Sequence, residues 1–212
     1  MKNLSDIKAI VFDRDGVIVD SMPMIAKGIQ ETAASYDIQI SIDEILSTYF
    51  QPKEAFYKSI GVDTSDITEL FERHNDGDNK YVFNERLPLF NDVVPTLFRL
   101  AEKQFRLGIV TGRKQANIQS EVAEHEFQQY FPSEHILGGE DLKEDNIATL
   151  IRRFEIAPHE LLFVGDLPSD ITAPKKVGAK SAGISRHESG KARLKAENPD
   201  YFLDSLLDLL KI

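Results

Sequence analysis

Cysteine is absent from the chain, which removes disulfides, thiolate chemistry and sulfur-ligated zinc or iron together. Long apolar runs are missing too. No segment approaches the roughly 20 apolar residues that span a bilayer, and Met1 to Ile7 has no hydrophobic stretch of signal-peptide length. A cytoplasmic protein with no membrane partner is therefore expected. Positive charge is the next shortage: 25 Lys and Arg stand against 35 Asp and Glu, a formal net charge of −10. Such a chain repels a phosphate backbone, so nucleic acid is not an expected partner. A small anionic substrate is still possible, because a metal ion and one or two basic side chains can reverse the field locally. The sequence shows neither an internal repeat nor a low-complexity tract, and nothing in it sets the oligomeric state.

What is present suffices for a core, since 212 residues with 42% hydrophobic content accommodate one full domain and a smaller module. Short apolar runs at 8–12, 106–110, 135–137, 161–164 and 179–184 read as buried strands, each followed by turn residues or a helix-like stretch. Strands alternating with helices predict an α/β fold, a Rossmann-like parallel sheet with helices on both faces. Asn91 and Asp92 stand as capping residues before Val93, Val94, Leu97 and Leu100, with Pro95 in the first turn where no amide bond is lost. Ile147, Leu150, Ile151 and Phe154 share one helical face, and 203–212 reads as a short amphipathic closing helix.

Between the first two strands the pattern changes. Ser21 with Pro23, then Ser41 with Glu44, mark helix starts, Gly61 marks a helix end, and no strand intervenes. About 65 residues do not stay structureless inside a compact domain. The expectation is an all-helical cap domain over 21–87, inserted in a core domain made of 1–20 and 88–212.

In an open α/β sheet chemistry gathers where the strands end. Asp13 and Asp15 follow the first run, Thr111 and Gly112 the second, and Gly165, Asp166 and Asp170 the fourth. Three carboxylates or more, a hydroxyl and flexible glycines thus converge on one rim. A lone Asp-x-Asp-Gly is often only a turn, and an EF-hand loop is excluded because Gly16 is fourth rather than sixth from Asp13. Asp76-Gly77-Asp78 reads as a surface turn, and the five His residues have no ligand spacing.

Val11-Phe12-Asp13-Arg14-Asp15-Gly16-Val17-Ile18-Val19-Asp20-Ser21, Leu107-Gly108-Ile109-Val110-Thr111-Gly112 and Phe163-Val164-Gly165-Asp166-Leu167-Pro168-Ser169-Asp170 resemble, in order, the motifs of the haloacid dehalogenase superfamily. The resemblance is to its helical-cap group, which includes phosphoglycolate phosphatases and β-phosphoglucomutase. It implies a phosphoric monoester hydrolase acting on a small phosphorylated metabolite. Asp13 would be the nucleophile that forms an aspartyl phosphate, and Asp15 the general acid and base. It further implies Mg²⁺, held by Asp13, Asp166, the Asp15 carbonyl and Asp170, directly or through water. Thr111, Gly112 and Lys143 would hold the phosphoryl oxygens. The elementary chemistry agrees: a carboxylate attacks phosphorus only if cations screen the phosphoryl oxygens, and an alkoxide leaves only with a proton.

The chain departs from the pattern at Arg14, where an apolar residue is usual, at Leu167, at Pro174 and at Glu144, where proline commonly follows the lysine. Arg14 contacts a cap, a substrate or a nearby acid; the sequence leaves all three open. Two other readings share these residues: a phosphosugar mutase of the β-phosphoglucomutase type, and a binding protein on a degenerate enzyme scaffold.

Overall fold

The computed structural model describes residues 4–49, 53–65, 68–70, 87–139, 141–186 and 188–211. The Asp76-Gly77-Asp78 turn lies outside them. The chain divides into two compact units, Met1–Val19 with Leu89–Ile212, and Asp20–Pro88.

The first unit is a six-stranded parallel sheet in the order β3-β2-β1-β4-β5-β6. Its strands are β1 (Ala9–Phe12), β2 (Arg106–Thr111), β3 (Ile136–Gly138), β4 (Leu161–Gly165), β5 (Lys180–Ile184) and β6 (Tyr201–Leu203). Every residue of β1 and β4 is buried, as continuous apolar runs in a parallel sheet covered by helices require. The core beneath is Val11, Val110, Ile147, Leu150, Phe154 and Phe163 with their neighbours. The chain leaves β1 toward β2 and β3, then crosses to β4 on the other side of β1. That reversal places the switch point between β1 and β4, where side chains beyond the strand ends are free to bind ligands.

The unit's helices are α4 (Val93–Glu102), α5 (Gln115–Glu124), α6 (Lys143–Arg153), α7 (Pro168–Lys176) and α8 (Glu188–Ala196). Two expectations need correction. Asp92 precedes α4 but makes no side-chain cap. Its carboxylate instead accepts from both terminal nitrogens of Arg186 at 2.7 and 2.9 Å, from Ser205 Oγ at 2.7 Å and from the Leu206 N–H at 2.9 Å. Those four donors outweigh what one helix N–H offers. The closing segment is not an α-helix: β6 occupies Tyr201–Leu203, and Leu206–Leu210 is a 3₁₀ turn whose Leu206 and Leu209 are buried. A three-residue spacing matches three residues per turn, so one apolar stripe is buried without further length. Pro174 lies inside α7, buried, and its carbonyl accepts the Val177 and Ala179 N–H groups that close the helix.

The second unit holds α1 (Met22–Ala34), α2 (Ile42–Thr48) and α3 (Lys53–Ser59). Pro23 stands in the first turn of α1, and the Ser41 hydroxyl accepts the Glu44 N–H at 3.1 Å to cap α2. These helices bury a cluster of their own, including Ile29, Ile45, Phe56, Tyr57 and Leu70.

Candidate active site

The strand ladder sets the first carboxylate. Asp13 follows β1 directly, and its N–H donates to Val164 O at 2.8 Å, which extends the β1/β4 pairing by one residue. The chain then turns tightly, with the Val17, Ile18 and Val19 N–H groups all on Arg14 O. Gly16 allows that turn at φ +72°, and a Cβ there would stand 2.0 Å from Asp166 Oδ2. Only glycine lets the loop after β1 come this close to the carboxylate after β4. At Gly165 a Cβ would meet Asp170 Cβ at 2.1 Å, so the end of β4 is equally closed to side chains.

Asp170 is fully buried and has two tasks. Its Oδ2 accepts the Asp166 and Leu167 N–H groups at 3.1 and 2.9 Å, capping α7 from the third helical position, while Oδ1 accepts from Lys143 Nζ. Leu167 has no polar side chain to cap with, and Asp170 makes the reciprocal contact, accepting the Leu167 N–H. Asp13, Asp166 and Asp170 each offer an oxygen within 4.8 Å of the others.

Lys143 is the first residue of α6. Its ammonium lies 2.9 Å from Asp13 Oδ1 and 5.5 Å from the Phe163 ring centroid. Glu144, its neighbour in sequence, is paired elsewhere, with Lys176 at 2.7 Å. Burial opposes the Lys143 charge, yet Asp13 and Asp170 outweigh it and hold its pKa above the usual lysine value. Burial, with Asp170 and Asp15 adding like charge against Lys143, pushes Asp13 up to about 7. Asp166 is raised well above the ordinary carboxylate range, again by burial first and by Asp170 and Asp13 next. Three crowded carboxylates against one ammonium sum to −2 when ionised, an all-oxygen donor set that fits one hard dication.

The other flank is built differently. Arg113 Nε donates to Asp15 Oδ2 at 3.0 Å, and Arg14 pairs with both Asp15 Oδ1 and Glu121 on α5. Of the alternatives for Arg14, the described contacts are to acids. Two carboxylates and two guanidiniums sum to zero. Asp15 therefore stands beside the acidic cluster without a side-chain oxygen in it.

Thr111 ends β2, the strand paired with β1, and its hydroxyl is buried with the Arg113 N–H 3.3 Å away. A Cβ on Gly112 would meet nothing within 4 Å, so this exposed backbone is open to a ligand. Sequence reasoning missed Glu121. Its one trace was its partner: a charged residue at 14 inside an apolar motif needs an acid somewhere.

The model of the family described as haloacid dehalogenase-like hydrolase matches residues 10–184. The chain is 27% identical to a Clostridium perfringens protein named as a candidate pyrophosphatase, with 97% of each chain covered. It is 26% identical to the phosphoglycolate phosphatase of Escherichia coli K12, covering 99% of this chain and 94% of that one. Among solved structures, a haloacid dehalogenase-like hydrolase from Streptococcus pneumoniae superposes with a TM-score of 0.80 at 22% identity, over 98% of both chains.

Proposed function

The chain belongs to the haloacid dehalogenase-like hydrolase family, and from that premise we propose that it is a Mg²⁺-dependent phosphatase of a small phosphorylated metabolite, with Asp13 as nucleophile. The observation that carries this reading is the acidic flank, where Asp13, Asp166 and Asp170 face a single Lys143 across the switch point. Its donors are all oxygen and its charge is −2, which suits Mg²⁺ held by Asp13, Asp166, the Asp15 carbonyl and Asp170, directly or through water. The bound cation would screen the phosphoryl oxygens and keep Asp13 and Asp166 ionised near neutral pH.

In the first step an Asp13 oxygen forms a bond to phosphorus as the ester P–O bond breaks, giving an aspartyl phosphate. Asp15 gives its proton to the departing alkoxide oxygen, so an alcohol leaves. In the second step Asp15 takes a proton from water, whose oxygen attacks phosphorus. Inorganic phosphate departs, and both aspartates return to their starting states. Thr111 Oγ, the Gly112 N–H and the Lys143 ammonium hold the three phosphoryl oxygens as their charge grows.

The test is a panel of phosphate monoesters headed by phosphoglycolate, with free phosphate measured with and without Mg²⁺. Phosphate release that requires Mg²⁺ and vanishes in Asp13→Asn is expected. Absence of metal-dependent release across the panel would overturn the reading.

A further inference from the structure

Two cations meet Asp15, and they are not equivalent. Arg14 is only 3% exposed. Its Nε donates to both Glu121 carboxylate oxygens at 3.1 and 2.9 Å, one terminal nitrogen reaches Glu121 again, and the other reaches Asp15 Oδ1. The crevice beside it is lined by Ile18, Ile109, Ile118, Val122 and Phe127. A guanidinium so enclosed cannot touch a substrate. Burial opposes its charge, and Asp15 and Glu121 outweigh that cost. A buried ion pair adds little net stability over well-packed apolar side chains of the same size, so the feature that distinguishes this pair is where its free end points.

We propose that Arg14, anchored by Glu121, is a positioning residue that fixes the Asp15 carboxylate toward the leaving-group oxygen. The aspartate side chain has two torsions; Arg14 uses its Nε and one terminal nitrogen on Glu121, so the terminal nitrogen on Asp15 Oδ1 is held in place and removes part of that freedom from inside the fold. Oδ1 is tied inward by Arg14, and Oδ2, on which Arg113 Nε stands at 3.0 Å, is the oxygen that would turn to the leaving group in exchange for that contact. Arg113 stands on that second oxygen from a more open position, its side chain 15% exposed against 4% for Arg14. Glu121 sits one full residue pair away from the chemistry and acts only by holding Arg14. The assignment rests on Asp15 being the general acid, as proposed above.

The experiment compares kcat on phosphoglycolate, whose alkoxide needs a proton to leave, with kcat on 4-nitrophenyl phosphate, whose phenolate does not. Arg14→Met should lose at least about tenfold on the alkyl ester and stay within about threefold on the aryl ester. Added to Asp15→Asn, it should cost nothing more on either, because it acts through Asp15. Glu121→Gln keeps volume and an acceptor and carries the same test should Arg14→Met not fold, with a smaller loss confined to the alkyl ester. Arg14→Lys, which keeps the charge but loses the guanidinium that spans Glu121 and Asp15, should recover part of the alkyl rate. Equal losses on both esters, or a loss that adds in full to that of Asp15→Asn, would overturn the proposal. Were Asp15→Asn itself to lose equally on both esters, the general-acid reading would be at fault and the proposal would fall with it, a result distinct from the first two.

Discussion

On the Asp166 flank of the rim three carboxylates crowd one ammonium; on the Asp15 flank two carboxylates are matched by two guanidiniums. The flanks share one short loop, Asp13 to Gly16, and differ in charge by two units. On the deficient flank burial and like charge raise the pKa of Asp13 and Asp166, and the donor set suits a dication. The Asp15 flank is balanced among the described residues, and on the inference drawn above its carboxylate is oriented rather than screened. On the function proposed above, a few residues separate a place for charge stabilisation from a place for proton transfer.

The strongest way to break this comparison is Asp13→Asn, which removes the proposed nucleophile and one proposed ligand of the deficient flank. Turnover should fall on the order of 10⁴-fold or more with the circular-dichroism spectrum unchanged. Turnover near the wild-type rate would return Asp13 to a structural role.

Lys143→Met removes the fixed cation that, among the described residues, pairs with Asp13 and Asp170 on the deficient flank. In saturating Mg²⁺, kcat/KM should fall about a hundredfold, since a fixed charge on a transferring phosphoryl group contributes roughly 3 kcal/mol. A loss under threefold would move that charge to another group, with Arg113 the next to substitute.

Acidity sharpens the contrast further. Asp13 titrates near 7 in the folded chain, against 3.8 for an ordinary aspartate. Between those values the metal-free native state binds more protons than the unfolded state, so stability falls as pH rises from about 4 to 7, by a few kcal/mol. His135, whose pKa burial lowers from 6.5, acts in the opposite sense below that value. The Asp13 part is therefore the difference between wild type and Asp13→Asn in urea midpoints at pH 5 and pH 8. Saturating Mg²⁺ should erase that difference in slope. Identical slopes for the two chains without metal would contradict the raised Asp13 pKa.

Much of this was legible because it is local. Each apolar run and the polar residues at its end are neighbours in sequence, so β1, β2, β4 and the rim residues follow from one pass along the chain. Lys143 was singled out only through the resemblance, and it opens the helix before the fourth strand. What was not legible depends on distant partners. Glu121 lies 107 residues from Arg14 on a polar helix, where one acid among several carries no mark. Asp92 looked like a helix cap because its real partners, Arg186 and Ser205, arrive from the far end of the chain. β6 is three residues long and takes its register from β5 rather than from any pattern of its own.

The most direct test of the two-flank account is a calorimetric titration of Mg²⁺ into wild type, Asp166→Asn and Asp15→Asn at pH 8. One site per chain is expected in wild type and in Asp15→Asn, which keeps its backbone carbonyl, and binding at least about tenfold weaker in Asp166→Asn, which lowers the charge of the deficient flank from −2 to −1. Undiminished binding in Asp166→Asn, or its loss in Asp15→Asn, would contradict the account.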